Sequence, residues 1–486
     1  MKLLIKISPL LLLSLTLFGQ NLSLQDAINL ALQKNDQIKQ YQEKLAQKDF
    51  EDLSALGNFL PKIDLKASYT HLDDDLSLNL NPIRTAIIAL QAQTQTEITN
   101  LGNIIENGSS LSDDELSSVY SAYESALGDL FPDLNMTFKE QNYLTSTLQI
   151  VQPIFLGGKL IAGKKYSAAE LEAAKSELVK VQNEVIVEVV NNYLNVLLLE
   201  NLVQTRLDVL KGIQKHVEQA ERLFQEGVIA NHEALRAKVA LAEAEINLED
   251  DQSKLKLAKI AFNNSIGLDE NSNVQLTDEL DAESIQLDKS ALLSTAYEKQ
   301  PILNMLEHKS TAAAQKYKAA RSEFLPQIAA FGKYEMYPEY LSVLEPRWAI
   351  GLQLNLSIFN GLKDYMDLQS AQHLENEVYY VQADLRKKIT LWINKAFNDV
   401  NNAESKFNKL ESSLELARES LRLNEKRFET GVGTSLEVID AQLSLEKIEV
   451  QRLVSLKNYY QSLSDLYLAV GEPLEILKVW NKSEQL

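Results

Sequence analysis

Two similar halves joined in tandem make up most of this chain of 486 residues. Residues of the first half recur 204 positions later, and the matched pairs are Ile154 with Ile358, Phe155 with Phe359, Gly157 with Gly361, Phe224 with Phe428, Gly227 with Gly431 and Gly267 with Gly471. One offset that holds over more than 110 residues indicates a repeat rather than chance similarity. The fold is therefore expected to contain two copies of one structural unit.

The first half is longer than the second because it carries an insertion. The stretch Phe59–Ile63 recurs as Phe324–Ile328, at an offset of 265 rather than 204, so about 61 extra residues precede Pro153. We place this insertion at residues 72–142. The other predicted segments are a first repeat at 21–267, a linker at 268–288, a second repeat at 289–471 and a C-terminal tail at 472–486.

The first twenty residues have the composition of a secretory signal peptide. Lys2 and Lys6 accompany a mainly apolar stretch that ends at Phe18. About a dozen apolar residues are too few to cross a bilayer core, which needs about 20. We therefore predict that residues 1–20 direct export and are removed. The most apolar later stretch, Val185–Leu199, is interrupted by one glutamate and three asparagines, so a membrane span would have to consist of β-strands.

Four segments alternate between apolar and polar residues with the period of two that is typical of β-strands. The clearest is Trp348–Ile358, in which every second residue is apolar, and Lys62–His71 has the same pattern. The other two are Leu144–Ile150 and Pro326–Tyr337, of which the last alternates least regularly. Strands of about 9–11 residues suit a bilayer that is crossed at a tilt.

A half-buried sheet of a soluble protein would show the same alternation, but the positions of the aromatic residues favour lipid. Aromatic residues cluster near the strand ends, as at a membrane interface, and they are Tyr143, Phe155, Tyr334, Tyr337, Tyr340, Trp348 and Phe359. Four strands are too few to close a barrel, because the smallest spanning barrels have eight. Several chains would therefore have to share one barrel.

Long stretches with apolar residues at steps of three and four predict helices of coiled-coil type. These stretches span Leu171–Leu210 in the first half and Leu374–Phe428 in the second. Each is expected to lie in a helix of about 68 residues, roughly 100 Å long. The chain then turns at Gly227 and at Gly431, and a second helix runs back. Each half thus ends in a long antiparallel helical hairpin.

The insertion differs from the repeats in its charge. It holds 12 acidic and 2 basic residues. Two short helices are predicted, one within Pro82–Leu101 and one after a capping box formed by Ser112 and Glu115, with a loop at Asn107–Ser110 between them. The run Asp73–Asp75 is interpreted as solvated acidic surface rather than a calcium site. Because the insertion joins the two strands of the first half, it is expected beyond the extracellular end of the strands.

Composition and motifs argue against catalysis. The formal net charge of −20 disfavours a nucleic-acid partner, and the absence of cysteine excludes a thiol nucleophile and Cys-ligated zinc. The five histidines lie far apart in the sequence. The stretch Gly158–Lys165 resembles a phosphate-binding loop but lacks the final Ser or Thr. We predict no catalytic residue, no cofactor and no metal site.

A set of motifs that occurs twice in the same order resembles the TolC-type outer-membrane efflux proteins. Phe-Leu-Pro stands at the start of the first strand in each half, Ile-Phe-x-Gly at the end of the second strand, and Phe-x-x-Gly at the helical turn; these begin at Phe59, Ile154 and Phe224 and again at Phe324, Ile358 and Phe428. The resemblance covers the chain except for the predicted signal peptide and the insertion. It implies a mainly α-helical fold with a membrane β-barrel, in which three chains share twelve strands and the helices form a tunnel.

The resemblance also implies a function, a location and partners. The protein is expected in the outer membrane of a Gram-negative cell, with its tunnel in the periplasm. It would be the passive exit duct of a tripartite efflux or type I secretion system, opened by a periplasmic adaptor protein and an inner-membrane pump. The exported substrate and the pump class, whether proton-driven, metal-exporting or ATP-driven, stay open. The alternative is a periplasmic adaptor or a structural coiled-coil protein, but adaptors carry one helical hairpin rather than two. An enzyme would need catalytic residues in the insertion.

The resemblance assigns roles to residues at the two helical turns. The surface that contacts the adaptor is expected at Gly227, Val228, Ile229, Gly431, Val432 and Gly433. Glu437 and Asp440, three residues apart and so on one helix face, would form two rings of three carboxylates in a trimer, with Glu233 on the facing helix. Converging like charges attract cations and would make a cation-preferring periplasmic entrance gate. The simpler interpretation is an acidic first helical turn, which the helix dipole favours.

The lock of this gate is expected to differ from that of the best-known family members. Phe428 stands where the resemblance places a locking tyrosine, and Gly433 stands where it places an arginine. Neither can hold the carboxylate of Glu233. The lock is therefore expected to use Arg427 or Arg222 instead, or to be weaker.

Overall fold

The computed structural model describes residues 20–281, 285–342 and 344–480. The predicted signal peptide therefore lies outside the described residues except for Gln20, as do the last six residues of the predicted tail. The strands and α-helices follow in chain order as β1 (Gln20–Leu22), α1 (Leu24–Lys34), α2 (Asp36–Gly57), β2 (Lys62–His71), β3 (Leu76–Asn79), α3 (Asn81–Asn107), α4 (Asp113–Leu130), β4 (Asn135–Lys139), β5 (Asn142–Leu156), α5 (Lys159–Gln225), α6 (Asn231–Ser265), β6 (Val274–Leu276), α7 (Lys289–Lys299), α8 (Pro301–Arg321), β7 (Gln327–Glu335), β8 (Trp348–Asn355), α9 (Lys363–Glu429), α10 (Ser435–Val470) and α11 (Ile476–Trp480). Short 3-10 helices lie at Ser322–Phe324, Pro338–Tyr340 and Pro473–Glu475.

The chain forms two compact units. The helical unit comprises the residues up to Ala55, Ile161–Ala320 and the chain from Lys363 onwards. The strand unit comprises Leu56–Leu160 and Arg321–Leu362.

The helical unit has the duplicated architecture that the sequence predicts. Helices α5 and α9 are each 67 residues long, and both their ends match at the offset of 204. Helices α1 and α7 match at the offset of 265. The most apolar 18-residue window of α5 has a mean hydropathy of 1.2 and satisfies the length and composition of a membrane span, but 67% of it is buried inside the protein. Packing against its neighbours therefore accounts for the apolar character of α5.

Each half begins with two helices rather than one, and an amide side chain occupies each break. Asn35, between α1 and α2, caps α2 by accepting a hydrogen bond from the Gln37 N–H, and its Nδ2 donates to the Ser265 carbonyl at 3.0 Å. Gln300, between α7 and α8, donates to the Ala469 carbonyl at 2.9 Å. Both bonds satisfy carbonyls at the end of a helix, where no intrahelical donor remains. Pro301 begins α8 after the second break, whereas no proline lies at the first.

A buried carboxylate joins three distant parts of the helical unit. Asp278 Oδ2 accepts hydrogen bonds from the Leu24 N–H at 2.9 Å and from the Trp480 indole N–H at 2.7 Å. The Trp480 ring packs edge-on against Tyr193 and Tyr460. The segment predicted as a linker thus connects the start of the first repeat to the C-terminal end, and the parallel pairing of β1 with β6 supports the same connection.

The strand unit holds one antiparallel sheet of four strands in the order β2-β5-β7-β8. Its first strand has the predicted bounds, and its last ends at Asn355, three residues before the end of the alternating sequence. The apolar face of the sheet is exposed on both edge strands: Ile63 and Leu65 on β2 are 62% and 63% exposed, and Ile350 and Leu352 on β8 are 76% and 72% exposed. Within the described part of the chain, the backbone of β2 and β8 is unpaired on the outer side of the sheet.

The insertion is a helical hairpin carried on a small strand pair. Helix α3 has 27 residues and extends beyond the predicted Leu101, and α4 has 18 residues. The strands β3 and β4, which flank the two helices in the sequence, pair with each other. The Ser112 and Glu115 capping box is confirmed at the start of α4. Gly108 ends α3 in the left-handed conformation at φ 78°. The β3–β4 pair was not predicted, although both segments alternate between apolar and polar residues, because the strands have only four and five residues.

Candidate functional site

Two similar turns join the long helices, and the sequence analysis placed the functional residues there. We call residues 226–230 the first tip and residues 430–434 the second tip. Gly227 and Gly431 adopt left-handed backbones at φ 75° and 74°. The next N–H in each tip donates back to the helix it leaves, with Val228 N to Leu223 O at 2.9 Å and Val432 N to Arg427 O at 3.0 Å. Glycine at this position is the usual end of a helix, because it adopts positive φ without strain.

The two tips lie side by side. A β-carbon placed on Gly431 would be 3.6 Å from Val228 Cγ1. Val228 and Val432 are 55% and 73% exposed, so the joined tips present apolar side chains at the surface.

Two of the predicted tip residues have structural roles. Ile229 is half-buried and packs against the apolar cluster beneath the tips. Gly433 is crowded, because a β-carbon there would lie 3.1 Å from the Phe428 backbone nitrogen. A larger residue at position 433 would therefore press against Arg427 and the Phe428 backbone.

Glu437 caps the helix that follows the second tip. The Thr434 N–H donates to Glu437 Oε2 at 2.8 Å, and the Glu437 N–H donates to Thr434 Oγ1 at 3.3 Å. This reciprocal pair is a capping box, and the positive end of the helix dipole favours the carboxylate there. Arg427 contacts the same carboxylate, with Nη1 3.5 Å from Glu437 Oε1.

Glu233 is the equivalent of Glu437 in the first half, but it binds elsewhere. The N-cap of α6 is Ala230, which has no side-chain acceptor for a capping box. Glu233 instead accepts a hydrogen bond from the Ser435 N–H at 3.2 Å, across the hairpins, and lies 3.3 Å from His232 Nε2. Within one chain Glu233 thus contacts Ser435 and His232, and its pairing with Arg427 or Arg222 stays a prediction.

The structure thus brings two of the three predicted gate carboxylates to one place. Glu233 and Glu437 bind the N–H groups of adjacent residues at the start of α10. Asp440 lies nearly one turn further along α10 and is exposed. The matching position of the first half is Arg236, so the acidic face is not duplicated.

A buried layer beneath the tips was missed by the sequence analysis. His216 and Phe428 are 7% and 1% exposed, and their ring centroids lie 4.7 Å apart. His216 Nε2 lies 2.7 Å from the Ser435 hydroxyl, at the start of the helix that Glu233 also contacts. The signal was present, because His216 lies in the apolar seam of α5 between Ile213 and Ala220.

The same layer distinguishes the two halves. Phe224 occupies the position equivalent to Phe428 but is 43% exposed. A cavity of about 310 Å³ opens beside His216, and its polar lining includes Lys215, Gln219, Glu425 and Glu429. Burial raises the pKa of Glu425, and the charge of Glu429 adds to this effect while Lys215 opposes it.

The tips are expected to lose stability as the pH falls. Burial lowers the pKa of His216, and the nearby charge of Glu233 opposes that effect only in part. The unfolded chain therefore binds a proton at His216 more readily than the folded chain, and stability falls as the pH drops through 6.5, the usual value. Hydrogen exchange of the tip peptides between pH 7.5 and 5.5, corrected for intrinsic rates, measures this loss of protection.

Two variants identify the responsible residue. In His216→Gln the loss of protection between pH 7.5 and 5.5 is expected to disappear, because glutamine does not titrate. His308→Gln, on the distant helix α8, should retain it. Glu425 has the opposite sign: its raised pKa means that protonation stabilises the folded chain, so it cannot produce a loss of protection as the pH falls. An unchanged pH dependence in His216→Gln would contradict the assignment.

Comparisons with known proteins agree with this architecture. Residues 110–268 and 292–472 match the sequence profile described as outer membrane efflux protein. The probable efflux pump outer membrane protein TtgC of Pseudomonas putida is 23% identical over 277 residues, which cover 54% of this chain and 55% of TtgC. The cobalt-zinc-cadmium resistance protein CzcC of Cupriavidus metallidurans is 22% identical over 335 residues, which cover 67% of this chain and 77% of CzcC. The chain thus spans about half the length of TtgC.

The fold is also that of a solved structure. The outer membrane protein VceC of Vibrio cholerae superposes with a TM-score of 0.69 at 20% sequence identity, covering 92% of this chain and 96% of VceC. This likeness confirms the predicted fold class of a mainly helical chain with duplicated halves and a four-stranded sheet.

Proposed function

The chain belongs to the outer membrane efflux protein family, and from this membership we propose that it is the passive outer-membrane exit duct of a tripartite efflux or type I secretion system. Members of this family are transport ducts rather than enzymes, and they act with a periplasmic adaptor and an inner-membrane pump. The rival prediction, a periplasmic adaptor, requires a single long helical hairpin, whereas the described part of this chain has two long ones, α5–α6 and α9–α10.

The four-stranded sheet is the observation that carries the proposal. Its edge strands β2 and β8 have unpaired backbone groups on their outer sides in the described part of the chain, and such groups cannot be left unsatisfied in lipid. Pairing β2 of one chain with β8 of the next satisfies them. Three chains then give a closed barrel of twelve strands, with the exposed apolar side chains of β2 and β8 facing lipid.

The surface of α6 supports the same trimer. Exposed apolar side chains follow the helix and lack a covering partner among the described residues of one chain; they are Leu235, Val239, Ile246 and Leu257, 52–67% exposed. Neighbouring chains that complete the tunnel wall would cover them. The outer membrane and the periplasm are therefore the proposed locations of the strand unit and the helical unit.

The acidic residues near the tips form the proposed periplasmic gate. Glu233 and Glu437 hold the start of α10, so they set its position, while Asp440 is exposed and free to face the passage. Three copies of Asp440 around one axis would attract cations and repel anions. The gate would open when the adaptor moves the tips.

Channel measurements test the duct and the gate together. Purified protein in a planar bilayer should give small, discrete conductance steps that a trivalent cation blocks from one side. Asp440→Asn and Glu437→Gln should weaken that block, because each removes three carboxylates from the entrance. Glu415→Gln, an exposed position on α9, is the matched control and should not change it. If folded protein gives no conductance steps, the proposal of an exit duct is wrong. If the cation block survives both substitutions, only the proposal of an acidic gate is wrong.

The joined tips are the proposed contact surface for the adaptor. Val228 and Val432 offer the exposed apolar side chains, Gly227 and Gly431 allow the sharp turns, and the half-buried Ile229 and crowded Gly433 shape the tips from beneath.

Charge at the tip valines is expected to abolish efflux without closing the channel. The double variant Val228→Asp, Val432→Asp places two carboxylates on the proposed apolar contact. Efflux in cells that lack their own copy should be lost, while trimer formation and conductance remain. The double variant to alanine should retain most efflux. Normal efflux by the aspartate variant would exclude the tips as the contact surface.

A further inference from the structure

Helix α3 of the insertion carries an unpartnered apolar stripe with coiled-coil spacing. Seven positions follow each other at alternating steps of four and three residues, and they are Ile83, Ile87, Leu90, Thr94, Glu97, Leu101 and Ile104. The five apolar members are 40–65% exposed. The residues that α3 buries against α4, Ile88, Ala92 and Thr96, lie on the opposite face. A stripe of period 3.5 is the pattern of a helix that packs against another helix.

Most of the charge of the insertion lies away from this stripe, whose one charged member is Glu97. Helix α4 holds five acidic residues and no basic one, whereas α3 holds one arginine and two glutamates in 27 residues. The arginine, Arg84, is already bound to the end of α4, where its Nε and Nη2 donate to the carbonyls of Phe131 and Gly128 at 2.9 Å and 2.5 Å. Five of the twelve acidic residues of the insertion thus lie on α4 and two on α3, and of those two only Glu97 belongs to the stripe.

The insertion also lies at the edge of the sheet where a second copy is needed. It follows directly from the edge strand β2, and the Leu72 N–H donates to the Gln141 carbonyl at 2.8 Å, which closes the base of the insertion. In the proposed barrel, β2 pairs with β8 of the neighbouring chain. The insertions of three chains therefore stand around one threefold axis.

We propose that the three α3 helices pack against one another through this stripe and form a parallel three-helix coiled coil over the outer end of the duct. The occupant of the stripe is thus the same helix of the neighbouring copies. Isoleucine and leucine fill both ends of the contact, and Thr94 with Glu97 form a polar layer in its middle. Three ionised Glu97 side chains repel one another there, so this layer fixes the register at a cost in stability. This inference rests on the proposed trimer and adds an outer closure to it.

Cysteine cross-linking tests the contact, because the chain has no cysteine of its own. Leu90→Cys and Ile87→Cys each place one thiol per chain on the stripe. Ser125→Cys places one on the exposed side of α4 and is the control. Each protein is purified in detergent, oxidised with copper phenanthroline and examined on a denaturing gel, while light scattering gives the mass of the complex. At one position a trimer can form a single disulfide, so the expected product for the stripe variants is a dimer beside a monomer.

The outcomes separate the inference from the proposed function. Dimers from both stripe variants and none from Ser125→Cys, in a complex of trimer mass, support the coiled coil. A trimer without dimers from either stripe variant overturns it and leaves the exit duct intact. A protein that stays monomeric when folded overturns both. An environment-sensitive dye coupled to the thiol of the Leu90→Cys variant tests whether lipid covers the stripe instead. If the dye reports an apolar environment only after lipid vesicles are added, the stripe binds lipid and the proposal is overturned.

Discussion

Replacing Arg206 with methionine is expected to destabilise the helical unit by about 3–5 kcal/mol, the usual cost of breaking a buried ion pair on one side. Arg206 Nε lies 2.8 Å from Asp251 Oδ2, and the guanidinium also binds Glu446. The two carboxylates are only 6% and 8% exposed. Methionine keeps the aliphatic volume but leaves Glu446 without its counter-charge. Because these residues lie on α5, α6 and α10, the change loosens the contact between the two helical hairpins.

The pH dependence of this contact has a definite sign. Burial alone would raise the pKa of Asp251, but hydrogen bonds from Lys254 and Arg206 hold it below the usual 3.8. A carboxylate whose pKa is lower in the folded chain stabilises the fold above its unfolded pKa, and this stabilisation is lost as the pH falls through the folded value. The difference between the wild type and Arg206→Met is therefore expected to be full at neutral pH and to shrink below about pH 4.

Thermal unfolding followed by circular dichroism, at one heating rate and in one detergent, measures the effect. Lys388→Met is the matched control, because its partner Asp384 and Lys388 itself are 59% and 70% exposed. That control should cost less than about 1 kcal/mol. Adding Glu446→Gln to Arg206→Met should recover part of the loss. Equal unfolding midpoints for Arg206→Met and Lys388→Met would show that the buried network contributes nothing.

Much of the fold could be predicted from the sequence because its determinants are local or repeated. The apolar positions of α5 and α9 recur at steps of three and four over most of their 67 residues, so no knowledge of neighbours was needed. Strand β2 alternates over its whole length, and the box of Ser112 and Glu115 marks the start of α4 by itself. Because equivalent positions lie at a constant offset, a helix or strand predicted in one half also predicts its counterpart in the other half.

The contacts within the candidate site depend on how different helices are aligned, and no local pattern reports that alignment. Glu233 and Glu437 are equivalent in sequence, yet Glu437 bonds to its own helix and Glu233 reaches α10 from α6. The cause is a single difference that the sequence does contain, Ala230 in place of Thr434 at the N-cap. Only the structure shows where the freed carboxylate goes. The pairing of Arg206 with Glu446, 240 positions apart, is of the same kind.

The second large effect is expected from Gly471→Ala, which should destabilise the helical unit by about 2–5 kcal/mol, the sum of a backbone cost and a crowding cost. Gly471 ends α10 at φ 92°, a conformation that costs alanine about 1–2 kcal/mol. A β-carbon there would also lie 2.9 Å from the Lys299 carbonyl oxygen, at the break between α7 and α8, and such overpacking costs roughly 1–3 kcal/mol. The unfolding midpoint should fall accordingly.

Three glycines with the same backbone conformation separate strain from crowding. Gly267 is the first-half equivalent, and a β-carbon there would lie 2.8 Å from the Lys34 carbonyl, so Gly267→Ala should match Gly471→Ala. Gly227 has φ 75° but no described atom within 4 Å of such a β-carbon, so Gly227→Ala should show only the cost of the backbone. Equal midpoints for all three alanine variants would mean that crowding at the helix breaks is unimportant. A larger loss of stability at Gly267 and Gly471 than at Gly227 would support the crowding effect. It would show that the close contact between the end of a long helix and the break between two shorter helices stabilises both halves.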